Sequence, residues 1–138
     1  ALAAALEAAD RLRDWRTQAR RWLTQLEAVF PACFPRETLV LGREAPRLPN
    51  TVALRMPGVT AESQLIQFDL QGFAISAGSA CSSGRIEPSH VVRAMMPNAP
   101  HEDEVIRISA GWETTQAEIQ RFAACWKKVA GQAEAGAA

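Results

Sequence analysis

The chain has 138 residues, with 15 basic and 15 acidic side chains, and so no formal net charge. That length suits one domain with a core of its own, and the balanced charge argues against nucleic acid or an anionic membrane surface as the main partner. No apolar run approaches the roughly 20 residues of a membrane span, and the first thirty residues carry charges throughout, unlike a signal peptide.

The opening stretch, ALAAALEAADRLRDW, has no methionine and no Ser, Thr or Asp ahead of its helical pattern. A helix start normally satisfies its free N–H groups with such a cap. The expectation is a cut through a longer protein whose N-terminal part can hold half of an active site. The spacing predicts a first helix over 1–30. Leu12, Trp15, Ala19, Trp22, Leu26 and Val29 form its apolar stripe, with Arg13, Arg16, Thr17, Arg20 and Thr24 on other faces. Pro31 and Pro35 are expected to end it. The two tryptophans are expected in core or domain-interface packing.

Short strands follow. Leu39–Leu41 precedes Gly42, and TVALRM from Thr51 alternates with Val52, Leu54 and Met56 on one side. Thr60 reads as the cap of a helix reaching Gln71, with Gly72 as its left-handed stop. Phe73–Ile75 reads as a third strand. Pro88 suits the first turn of a helix carrying Val91, Val92, Met95 and Met96. VIRIS from Val105 is a fourth strand. Thr115 to Glu118 fits a capping box, opening a last helix with Ile119, Phe122, Trp126 and Val129 inside and a frayed tail over 133–138. The order predicts an α+β fold with helices on one face of a small sheet, and one domain over 1–138.

Residues 76–84, SAGSACSSG, are all small and bury little apolar surface. Three roles fit such a segment: a linker whose cysteine is incidental, a backbone cradle for an anion, or a mobile arm that delivers a thiolate. The P-loop order is absent. Cys33 and Cys125 sit in apolar sequence and read as core residues. Cys81 does not, and an exposed thiol points to use. Arg85 and His90 are near enough in sequence to lower its pKa, although His90 reads first as a helix residue. Glu87, beside Pro88, suits a helix start. The odd, scattered cysteines argue against a disulfide framework and set a reducing cytoplasm as the expected compartment. The two histidines, His90 and His101, are too far apart to suggest a metal site. Arg107 alternates with Ile106 and Ile108, so it points away from their apolar face. On its own it reads as a surface strand residue in a salt bridge. Asn50, after Pro49, reads as a local Asx turn.

The stretch SAGSACSSGRIEPSHVVRAM resembles the active-site cysteine segment of the pyridoxal-phosphate-dependent cysteine desulfurases, of the NifS and IscS type in the class V aminotransferase family. LPNTVALRM, GVTAESQLIQFDLQGFAIS and VIRISAGWETTQAEIQRF are similar to neighbouring parts of the same family, so that 1–132 lies along its C-terminal third. The resemblance implies the small C-terminal domain of a fold-type I enzyme. It implies Cys81 as the nucleophile that takes sulfur from L-cysteine as a persulfide, releasing L-alanine, and Arg107 as the ligand of the substrate carboxylate. It also implies pyridoxal phosphate held by a large domain outside this chain, no cofactor-binding or metal-binding residue within it, a homodimer, and a sulfur acceptor such as an iron–sulfur scaffold. By the same likeness the isolated piece is expected to be inactive. Ala77 stands where a second serine is common, and Trp112-Glu113 where an Arg-Phe-like pair is usual. Two other readings of the chain are a stand-alone sulfur carrier or adaptor without the cofactor chemistry, and a thiol peroxidase.

Overall fold

The computed structural model describes residues 2–33, 39–78, 89–97 and 102–137. In chain order these form α1 (Leu2–Cys33), β1 (Leu39–Leu41), β2 (Thr51–Arg55), α2 (Ala61–Asp69), β3 (Ser76–Ala77), α3 (His90–Met95), a short 3-10 turn (Glu102–Glu104), β4 (Val105–Ser109) and α4 (Gln116–Ala137). The strands make one sheet in the order β1-β2-β4-β3, each neighbouring pair antiparallel.

Strand alternation sorts the sheet residues onto two faces. Val52, Leu54, Ala77, Ile106 and Ile108 enter the main core with the apolar residues of α1, α2 and α4. Leu41, Ala53 and Val105 face the other way, against Val92 and Met96 beside α3. The three longer helices thus share one face of an α+β domain, and the six-residue α3 sits on the other.

Helix α1 buries Ala19, Trp22 and Leu26 of the predicted stripe, and Leu23 and Phe30 beside them, but Leu12 is 37% exposed. The helix runs through Pro31 to Cys33 rather than stopping at the proline. In the last turn the missing proline N–H removes one ladder bond without blocking the residues already wound. The ring of Phe30 lies 4.7 Å from that of Trp126, and Phe68 stacks on Phe122 at 5.0 Å, so aromatic contacts join α1, α2 and α4.

Thr60 caps α2 as expected, its hydroxyl accepting from the Ser63 N–H. The helix ends at Asp69, before Gln71. Gly72, at φ +78°, lets its own N–H donate to the Asp69 carbonyl and stops the helix. The predicted strand at Phe73–Ile75 is not there. The Phe73 N–H still bonds back to the Phe68 carbonyl, and the Phe73 ring meets Phe122 edge-on at 5.3 Å. Pairing begins only at Ser76, opposite Arg107, and Ala77, opposite Ile106. The small-residue segment therefore starts inside the sheet: Ala77 is buried, and the Gly78 N–H donates to the Val105 carbonyl at 2.9 Å. Its composition had suggested a segment that packs little. Small side chains here serve close approach instead.

The capping box forms at α4. The Thr115 N–H donates to Glu118 Oε2 at 2.7 Å, and the Glu118 N–H donates to Thr115 Oγ1 at 3.3 Å. The helix continues to Ala137, through the expected frayed tail. The bond from the Thr115 backbone, helped by its hydroxyl, holds the Glu118 carboxyl below the usual range. A depressed carboxyl adds stability above its unfolded pKa and loses it as pH falls through the folded pKa. The thermal midpoint should therefore fall on acidification below the unfolded glutamate pKa. In Glu118→Gln that fall should be smaller, and an unchanged acid limb would contradict the assignment.

Glu104 closes the 3-10 turn and is buried. Its carboxylate accepts from Arg55 Nε at 2.6 Å and from the Gly58 N–H at 3.0 Å. Its carbonyl accepts from Gln64 Nε2 at 2.9 Å, and the same amide also reaches the Val59 carbonyl. One acidic residue thus ties the start of β4 to β2 and α2. Glu104→Gln keeps the acceptor and strands the Arg55 charge, so urea unfolding should show a loss of about 2 kcal/mol. A loss within error of zero would rule out this tie as a stabilising element.

Candidate functional site

Across the outer face of the sheet, the register sets Leu41, Ala53, Arg107 and Ser76 side by side on β1, β2, β4 and β3. Arg107 is half-buried in the middle of this row, and among the described residues its side chain makes no ion pair and no hydrogen bond. Among the described residues, the salt bridge that its sequence position allows is not made. A partly desolvated guanidinium favours a counter-charge, and its cross-strand neighbours Ala53 and Ser76 are short. The group suits a planar anion, above all a carboxylate held by two parallel bonds. Next along the same face, Thr51 Oγ1 and Ser109 Oγ lie 3.1 Å apart.

Asn50 holds this end of the sheet together by a longer reach than a local turn. Its side-chain amide donates to the Ala110 carbonyl at 3.1 Å, and the Ala110 N–H donates to the Asn50 carbonyl at 2.8 Å. The expected Asx turn is replaced by a bridge between the starting end of β2 and the finishing end of β4.

Cys81 lies outside the described residues, with Arg85, Glu87 and Pro88, and so does the side chain of Cys33. The two ends of segment 79–88 are described, and both meet Val92. A Cβ added to Gly78 would stand 3.0 Å from Val92 Cγ2 and 3.3 Å from the Val105 carbonyl oxygen, so a larger residue there would crowd both. At the other end, buried Ser89 caps α3, its hydroxyl accepting from the Val92 N–H at 3.2 Å. The described residues on either side of the cysteine segment thus both lie beside Val92. Gly78 is two residues past Ser76, the cross-strand neighbour of Arg107. Sequence reading missed Ser76 because it was counted with the loop. The signal available was Ala77, an apolar residue that suits the inner face of a strand.

His90 opens α3 and is exposed, as a helix residue would be. Cys125 lies on α4 and is partly buried, and that burial pushes its thiol pKa up, with Lys128 opposing the shift. A raised pKa leaves less of the reactive thiolate, in keeping with a core role. A cleft of about 380 Å³ opens between α1 and the connection from β1 to β2, lined in part by Arg20, Glu27 and Arg47. Arg47 and Arg43 already pair with the buried Glu27 carboxylate there, and Arg107 faces the other side of the sheet.

Pyridoxal phosphate needs a lysine for its Schiff base. The two lysines of the sequence, Lys127 and Lys128, are exposed on α4, on the side of the sheet opposite Arg107. The described residues therefore do not fit this cofactor as its holders. Among the described residues no cluster of His, Cys, Asp or Glu could hold a metal ion, and no helix is long and apolar enough to cross a membrane.

Residues 7–122 match the family model described as aminotransferase class-V. A cysteine desulfurase of Frankia sp. (strain EuIK1) is 42% identical over 122 residues, which cover 88% of this chain and 29% of the relative. The cysteine desulfurase NifS of Azotobacter vinelandii is 37% identical over 105 residues, covering 76% of this chain and 26% of the relative. In fold, the chain is similar to the X-ray structure of a NifS-like protein from Rickettsia africae ESF-5, with a TM-score of 0.66 at 24% identity over 83% of this chain and 28% of the other. The chain thus spans under a third of the length of these relatives.

Proposed function

We propose, from the premise that this chain belongs to the aminotransferase class-V family, that it serves as the small domain of a cysteine desulfurase. Relatives across most of its length carry that name. The observation that carries the reading is the half-buried Arg107, which has no ion pair among the described residues and lies beside Ser76, on the strand that precedes the Cys81 segment in the chain. In this role Arg107 binds the carboxylate of L-cysteine and so fixes where the substrate sulfur lies. Cys81, as thiolate, attacks that sulfur. The carbon–sulfur bond breaks, a sulfur–sulfur bond forms, and the carbon takes up a proton and leaves as L-alanine. The enzyme keeps a persulfide, which is a reversible cap.

Pyridoxal phosphate would supply the electron sink for carbon–sulfur cleavage, held by parts of the enzyme outside this chain. The complete enzyme in this reading is a cytoplasmic homodimer, and a reducing compartment keeps Cys81 a free thiol until it acts. The persulfide then passes to an acceptor protein, for which an iron–sulfur scaffold is the leading candidate.

The test is sulfur-35 transfer. The complete enzyme is incubated with labelled L-cysteine, and label on the protein and alanine in solution are counted together. Equal amounts of both before any acceptor is added support the reading. Alanine without protein-bound label would refute it.

A further inference from the structure

Helix α1 has two unlike halves. Every side chain described from residue 3 to residue 14 is exposed, whereas the stretch from Ala19 onward sends Trp22, Leu23, Leu26 and Phe30 into the core. Trp15 stands at the changeover. Its indole N–H donates to the Gly111 carbonyl at 2.9 Å, and its ring stacks on Trp112, with centroids 4.8 Å apart and planes 21° apart. Trp112 is otherwise open, at 64% exposure. It sits in a tight turn that Thr114 closes, since the Gly111 N–H donates to Thr114 Oγ1 at 2.8 Å and the Thr114 N–H to the Gly111 carbonyl at 3.3 Å. Asn50 and Ala110 fasten the residue just before that turn to β2. The turn follows β4 directly, and β4 carries Arg107.

At this changeover α1 makes a polar bond and a ring stack, both to the turn beyond Arg107. We propose that Trp15 and Trp112 are positioning residues, a clamp that fastens α1 to the turn after β4 and so sets where Arg107 presents its guanidinium. The functional half of this rests on the reading of Arg107 as the carboxylate ligand. Trp112 contributes nothing to the buried core, so the geometry gives it a task that core packing does not explain.

The experiment compares the complete enzyme with its Trp112→Ala, Trp112→Phe and Trp15→Phe variants, by amide hydrogen exchange and by steady-state kinetics on L-cysteine. Trp112→Ala should speed exchange across residues 105–111 by about fivefold, the factor expected for a lost aromatic pair. It should raise KM for L-cysteine by a similar factor while kcat stays within about twofold. Trp112→Phe keeps a ring to stack and should restore both readouts. Trp15→Phe keeps the stack, loses the indole N–H and should move both in the direction of Trp112→Ala. Unchanged exchange in Trp112→Ala would overturn the clamp, as would faster exchange with an unchanged KM or a phenylalanine that fails to rescue. An Arg107→Ala variant with normal KM would refute the substrate reading alone, and the exchange comparison then decides the clamp by itself.

Discussion

Cys81→Ser in the complete enzyme is expected to bind L-cysteine normally and to release sulfide at a rate lower by about 10³-fold or more. The effect should be large because the chemistry depends on sulfur. A thiol loses its proton near neutral pH and is a strong nucleophile as the anion. A serine hydroxyl keeps its proton and cannot form the sulfur–sulfur bond of a persulfide. Binding should survive because the substrate carboxylate is assigned to Arg107 and not to Cys81. Calorimetric titration with L-cysteine separates the two effects. Normal turnover by the variant would remove Cys81 from the reaction, and lost binding would move it into the substrate site.

Arg107→Ala should act on the other term. The guanidinium is half-withdrawn from water and has no protein anion to hold among the described residues. A substrate carboxylate would be its counter-charge, and cutting one member of such a pair costs heavily because the other is left desolvated. The expected loss in kcat/KM for L-cysteine is about 10²-fold, mostly in KM, because the carboxylate is bound alike in ground and transition states. Arg107→Lys should recover part of it, since a lysine keeps the charge and loses the two-pronged geometry. Equal KM values in all three proteins would show that the carboxylate is held elsewhere.

Most of the fold was legible because local signals agreed with one another. Thr60 and Thr115 each accept a hydrogen bond in the first turn of a helix, and VIRIS and TVALR pair along their whole length. Errors arose where a local rule met a tertiary one. Pro31 was expected to stop α1, yet the helix carries it in its last turn. Phe73–Ile75 is apolar enough for a strand, but the Phe73 ring is taken by Phe122 and its N–H by Phe68. Ser76–Ala77 looked like loop, and becomes an edge strand because β4 offers a free side for pairing.

The site was legible only in part, for the same reason. Alternation alone put Arg107 on the outer face, and the sheet does place it there. No spacing rule could say that Gly78 and Ser89 would meet at Val92, because that contact joins β3, α3 and β4. Nor could it join Trp15 to Trp112, almost a hundred residues apart in the chain. Both follow from where the sheet sends its ends, and a linear pattern does not carry that.

The most direct test of the account is mass spectrometry of the peptide holding Cys81, taken from the complete enzyme after a single exposure to L-cysteine without an acceptor. The account predicts one added sulfur atom on Cys81, absent from Cys125 and absent in the serine variant. A wild-type enzyme that has produced alanine while its Cys81 peptide keeps its unmodified mass would contradict it.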